Sequence, residues 1–170
     1  MRGKTKVKLY FLRHGPAVER TAWQADDDFA RPLTERGQAV VQCVAEALAA
    51  LQLKPEAIIT SPLARAFQTA EIVARRLDLN AHLVKDDRLM PGFGLDGLTA
   101  ILQAHADLSA IMLVGHEPDF STTISTLIGG GALVCKKGGL ARVDILATSP
   151  LRGELVWLIP PSVLTRPSGE

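Results

Sequence analysis

The chain has 170 residues, 47% of them hydrophobic, which is ample material for a globular core and excludes a disordered polypeptide. Lysine and arginine (19) nearly balance aspartate and glutamate (18), and a formal charge of +1 gives no basis for nucleic-acid or membrane-surface binding. The two cysteines, Cys43 and Cys135, are too few for a disulfide framework and lack metal-ligand spacing, so a reducing cytoplasm is the expected setting.

Residues 1–6 are basic, but the apolar stretch behind them is short and ends in Arg13-His14, so it does not read as a signal peptide. No stretch approaches the ~18–20 apolar residues of a membrane span. Val7 and Leu9 to Leu12 predict a buried strand that stops at Arg13-His14-Gly15. Glu19 to Ala30, with Asp26-Asp27-Asp28, reads as a loop. Thr34 is a good N-cap for a helix whose apolar face is Val40, Val41, Val44, Leu48 and Leu51. Lys54-Pro55 ends it.

Ala57 to Thr60 predicts the second strand. Ser61-Pro62 reads as a cap and first helical position, followed by Leu63, Ala66, Ala70, Val73 and Leu77 at core-facing intervals. Ala81 to Val84 is a weak third strand, Asp86 to Gly97 a loop, and Leu98 to about His105 a short helix. Ala110 to Val114 is a further buried strand and runs into Gly115-His116. Glu117-Pro118-Asp119 opens a helix that Gly129-Gly130-Gly131 closes. Leu140 to Leu146 and Leu155 to Ile159, joined through Ser149 to Gly153, read as a terminal hairpin, with 160–170 as a tail. The pattern predicts one domain with its core over about 6–159. Its fold class is α/β: a three-layer sandwich on a mainly parallel sheet, with antiparallel strands at the C-terminal end.

Three strand ends carry chemistry: Arg13-His14, Ser61 to Arg65, and His116. Carboxyl ends of parallel strands share one edge, so these groups can converge there. Two guanidiniums and two imidazoles suit a tetrahedral dianion, because arginine forks match phosphate oxygens and stay charged. No Walker-type loop, G-x-S-x-G elbow or metal-ligand cluster is present, so no cofactor is expected and the nucleophile must be a side chain. Histidine serves when neutral. His14 would attack phosphorus through one ring nitrogen, with Arg13, Arg65 and His116 holding the oxygens of the transferring group.

Leu12-Arg13-His14-Gly15, then Ser61-Pro62-Leu63-Ala64-Arg65-Ala66 with Gln68-Thr69-Ala70, then Val114-Gly115-His116, resemble the histidine phosphatase superfamily, which includes the phosphoglycerate mutases. The resemblance implies the phosphoglycerate mutase-like fold, His14 as phosphorylated nucleophile, and Arg13, Arg65 and His116 as the phosphate pocket. Arg31-Pro32-Leu33-Thr34 leading into Gly37, and Leu89-Met90-Pro91-Gly92, are most similar to the small SixA-type phosphohistidine phosphatases. Many superfamily members place a glutamate after the third strand as proton donor. Here Asp87 or Arg88 falls near that slot, and Asp28 matches the alternative acidic position of SixA-type proteins. By the same analogy Arg31 touches substrate.

The resemblance therefore implies a metal-independent phosphatase with phosphohistidine in a protein, or a small phosphorylated compound, as substrate. A phosphomutase and a non-catalytic phosphoprotein-binding module are the alternatives. Several features also have plain structural readings. The aspartate run suits a solvated loop, and His82 and His105 suit the surface. Cys43 suits helix packing, and Asp119 and Ser121 suit a helix cap. Trp23 either lines the pocket or anchors its loop. Cys135, beside Lys136-Lys137, is a candidate acidic thiol.

Overall fold

The computed structural model describes residues 6–23 and 27–165. Residues 1–5 of the basic N-terminal stretch, Asp26 of the acidic run, and 166–170 of the expected tail lie outside them. Among the described residues six strands form one sheet: β1 (Lys8–Arg13), β2 (Ala57–Thr60), β3 (Leu83–Lys85), β4 (Ala110–Gly115), β5 (Leu140–Thr148) and β6 (Leu151–Ile159). Their spatial order is β3-β2-β4-β1-β5-β6. β3, β2, β4 and β1 run parallel, while β5 and β6 pair antiparallel.

Side chains on a strand alternate between its two faces, and here both faces are covered, so the strands are apolar at nearly every position. Leu9, Phe11, Ile59, Ile111 and Leu113 point into one core. Tyr10, Leu12, Ile58, Met112 and Val114 point into the other. The first core is closed by α3 (Leu95–Ala104) and α4 (Asp119–Leu127) through Leu98, Ile101, Phe120 and Ile124. The second is closed by α1 (Glu35–Ala50) and α2 (Ala64–Arg76) through Val41, Val44, Ala70 and Val73. This is the expected three-layer sandwich.

Thr34 caps α1 as expected, its hydroxyl accepting from Gly37 N at 2.9 Å. Gly37 is required by close approach, since a Cβ there would collide with the Pro16 carbonyl oxygen. The rim of the site therefore rests on the first turn of α1.

Several boundaries differ from the sequence reading. Ser61 does not open α2; the helix starts at Ala64 with Leu63 as a cap that offers no side-chain bond. Ser61 stays with the sheet, its N donating to Val114 O at 2.9 Å. β3 is shifted to Leu83–Lys85 because 80–82 coil into a 3-10 turn, and α3 begins three residues early, at Leu95. The terminal hairpin is longer than expected, with its turn at Ser149-Pro150. Gly153 lies inside β6, where a side chain would press on Val143 at 2.7 Å. It marks a shift in pairing register, not a turn. In the expected tail, Pro161–Leu164 form a short helix, α5, whose Leu164 joins the core on the α1 side. Cys43 is exposed on α1, so it does not contribute to packing.

Candidate active site

β1 and β4 are neighbours at the middle of the sheet, with Arg13 opposite Gly115 in register. The residues that follow each strand therefore emerge side by side. The His14 and His116 rings lie with centroids 5.3 Å apart, 6% and 4% exposed respectively. Backbone pairing continues past the strands, His14 N donating to Gly115 O at 3.0 Å. Gly115 admits the Phe120 ring, which would stand 2.7 Å from any Cβ there.

Arg65 enters from the first turn of α2 and is buried. Thr69, one turn later, joins this helix to the tip of β1. Its hydroxyl donates to Arg65 O at 2.8 Å and accepts from Gly15 N at 3.1 Å. Gln68 anchors the neighbouring segment by accepting from Leu33 N at 2.8 Å. Arg13 is fixed from a third direction, donating from one terminal nitrogen to Cys135 O at 2.8 Å. The four side chains expected to converge do so.

Each of the pocket cations keeps a donor nitrogen in hand, and one of the rings keeps a nitrogen without a partner. Arg13 Nε, Arg65 Nε and His116 Nδ1 are buried with no hydrogen-bond partner. Buried polar groups are rarely left so, and their cluster around His14 marks a place for an acceptor-rich group. His14 Nδ1 donates to Gly15 O at 2.7 Å, which leaves Nε2 with the lone pair. Burial lowers its pKa to about 3, and His116, Arg65 and Arg13 push the same way against the Gly15 bond. Burial likewise lowers His116 to about 4, helped by Arg65 and opposed by Asp28. Both rings are neutral at pH 7.

The acidic candidates part company. Asp28 lies in a 3-10 turn, Asp28–Ala30, and reaches the pocket. Its Oδ2 accepts from Arg65 at 3.0 Å and its Oδ1 from Arg31 Nε at 2.8 Å. Burial alone would raise its pKa, but the Arg31 and Arg65 guanidiniums outweigh that and hold it below the usual carboxylate range. Asp87 is exposed on a separate turn and bonds none of the four pocket residues. Arg88, in the adjoining slot, is taken up by Asp86. Arg31 sits behind Asp28 and also donates to Val18 O at 2.6 Å.

Other sequence expectations resolve simply. Trp23 anchors its loop, Nε1 donating to Asp27 O at 2.9 Å. Asp119 accepts from Gly92 N at 2.8 Å, tying α4 to the loop before α3. The Cys135 thiol is not acidic: burial first, then the Glu117 carboxylate, raise it to about 12. What Cys135 brings to the site is its carbonyl. Sequence reading missed Ser61, whose Oγ lies 2.8 Å from His116 Nε2. A Ser-Pro pair after a strand carries the same local signal as a helix cap, and nothing near it in the chain points to residue 116. Among the described residues, no group of three His, Cys, Asp or Glu side chains is placed to hold a metal ion.

The family model for the histidine phosphatase superfamily (branch 1) matches residues 9–118. The chain belongs to this superfamily. Its match spans Arg13, His14, Arg65 and His116, and the protein is a phosphatase. An uncharacterised protein of Picosynechococcus sp. is 34% identical over 173 residues, covering 91% of this chain and 100% of its own. Phosphohistidine phosphatase SixA of Escherichia coli is 28% identical over 126 residues, covering 73% of this chain and 76% of its own. The solved protein histidine phosphatase SixA, complexed with tungstate, superimposes with a TM-score of 0.81 at 25% identity, over 93% of this chain and 99% of that one.

Proposed function

We propose that the protein is a metal-independent phosphatase working through a phosphorylated His14, with phosphohistidine in a protein as its substrate. The observation that carries this reading is the pair of buried, unpartnered guanidinium donors, Arg13 Nε and Arg65 Nε, which with the unpartnered His116 Nδ1 surround the His14 ring. A tetrahedral dianion supplies acceptors for both guanidinium nitrogens. Its binding replaces water by fixed donors, which is the main demand of phosphoryl transfer.

In the first step His14 Nε2 bonds to phosphorus as the bond from phosphorus to the leaving atom breaks. The Gly15 carbonyl holds the ring proton on Nδ1 and balances the charge that the ring acquires. Water then attacks phospho-His14, releasing phosphate and restoring the neutral ring. The leaving group decides the substrate. Asp28 is ionised between two guanidiniums and has no proton to give. An alkoxide needs one in the transition state, whereas imidazole, protonated near neutral pH, takes it from solvent. This favours a phosphoramidate over a sugar phosphate.

Similarity to the Escherichia coli phosphohistidine phosphatase supports the same choice. So does the tungstate complex of a structural neighbour, tungstate being a tetrahedral oxyanion. The described residues include no helix long and apolar enough to cross a membrane, and a reducing cytoplasm remains the expected setting.

The test is a trapped intermediate. Labelled phosphohistidine protein, mixed with enzyme and quenched in base, should leave an acid-labile label on His14, and His14→Asn should abolish both label and turnover. Wild-type turnover in His14→Asn would overturn the mechanism. A panel including sugar phosphates, phosphoglycerates and an aryl phosphate tests the substrate. Higher kcat/KM for a sugar phosphate, isomerisation of a phosphoglycerate, or tight phosphopeptide binding without release would each replace the substrate reading.

A further inference from the structure

Ser61 is wholly buried, and its backbone is tied to β4 two residues before His116, through Ser61 N to Val114 O. Its hydroxyl has two neighbours. Leu63 N donates to Oγ at 3.4 Å, and His116 Nε2 lies 2.8 Å away. A hydroxyl carries one proton, which must go to an acceptor when no water can reach it. Among the described residues the His116 ring is the one group bonded to Oγ that can accept. If Nε2 carried the ring proton, Oγ would receive two N–H groups and its own proton would have no partner. The satisfied arrangement has Ser61 donating to Nε2, which leaves the ring proton of a neutral His116 on Nδ1. That nitrogen is the buried, unpartnered one beside His14.

We propose that Ser61 is a positioning residue that holds His116 in the Nδ1–H tautomer, so that a neutral imidazole donates a hydrogen bond to the transferring phosphoryl group. The proposal rests on the phosphoryl-pocket reading above. It explains how a ring kept neutral by burial and by three nearby guanidiniums can still serve an anion. The groups facing His116 are Arg13 and His14 from the end of β1, Arg65 from α2, and Asp28 and Arg31 from the turn before α1. Asp28 is the one that favours its protonation. Without Ser61 the tautomers are released. The Nε2–H form would present a lone pair to the anion, and His116 could then donate from Nδ1 with certainty only when protonated.

The decisive measurement is nitrogen NMR of protein labelled at its histidines, with the His116 signals assigned by difference from His116→Gln. Wild-type protein at pH 7 should show His116 protonated at Nδ1 and bare at Nε2; the reverse pattern overturns the proposal. This readout does not depend on turnover, so it stands apart from failure of the phosphatase mechanism, which the His14 label reports.

Ser61→Ala, checked for folding by its melting temperature, should lose the tautomer preference. It should bind vanadate about tenfold more weakly at pH 7.5, as expected for one hydrogen bond to a charged group. Its kcat/KM should fall more steeply than wild type from pH 5.5 to 8. Ser61→Thr, which keeps the hydroxyl, should restore both. An unchanged pH profile in Ser61→Ala, with wild-type vanadate affinity, would refute the assignment.

Discussion

Arg65 and Asp28 meet at two points: one terminal nitrogen of the guanidinium donates to the Asp28 backbone carbonyl and the other to its carboxylate, each at 3.0 Å. Asp28 Oδ1 is meanwhile held by Arg31. The aspartate thus fixes the orientation of Arg65 and leaves its Nε without a partner. Asp28→Asn should lower kcat/KM by about tenfold, and by the same factor for a phosphoramidate and an alkyl phosphate. A loss confined to the alkyl phosphate would mean that Asp28 is the proton donor after all.

The two buried imidazoles bear on stability. Their native pKa values, about 3 for His14 and about 4 for His116, lie below the unfolded value of about 6.5. Between these limits the unfolded chain binds more protons, so stability falls as pH drops below about 6.5 and keeps falling until the native rings titrate. From pH 7 to 5 the loss should be about 2 kcal/mol per histidine. Urea denaturation of wild type and of the His14→Asn/His116→Gln variant checks this. The variant should show a much flatter dependence over that range.

Packing at the Gly37–Pro16 contact should be unforgiving. A methyl group at residue 37 has backbone, not a flexible side chain, in its way. Gly37→Ala should destabilise the protein by at least ~2 kcal/mol, by overpacking. It should also cost activity in the molecules that remain folded, since Pro16 follows His14 by two residues. A melting temperature equal to wild type would show that α1 can move away freely.

The phosphoryl group in this reading is held by protein donors alone. Dialysis against a chelator should therefore leave kcat/KM unchanged within error. Loss of activity, restored by one divalent cation, would require a different account of the site.

Much of this arrangement can be read from residue order. The runs before Arg13 and His116 are apolar at nearly every position because both faces of their strands are covered, and that same fact puts them at the centre of the sheet. Arg65 could be placed because a helix follows its strand after a short turn. Features that depend on distant partners were beyond local reading. Asp28 sits 37 residues from Arg65, and only the folded loop shows that it pairs with arginine instead of donating a proton. Ser61 reaches 55 residues along the chain to His116, and Gly153 resembles a turn glycine until the register shift is seen.

The antiparallel β5 starts beside Leu12, close to His14, and travels away from it past Lys8 before turning at Ser149-Pro150. One end of the sheet therefore carries the candidate site, and the hairpin tip lies at the other. The hairpin tip is accordingly a place where a fluorophore, an affinity handle or a fused partner could be attached while phosphate release continues undisturbed.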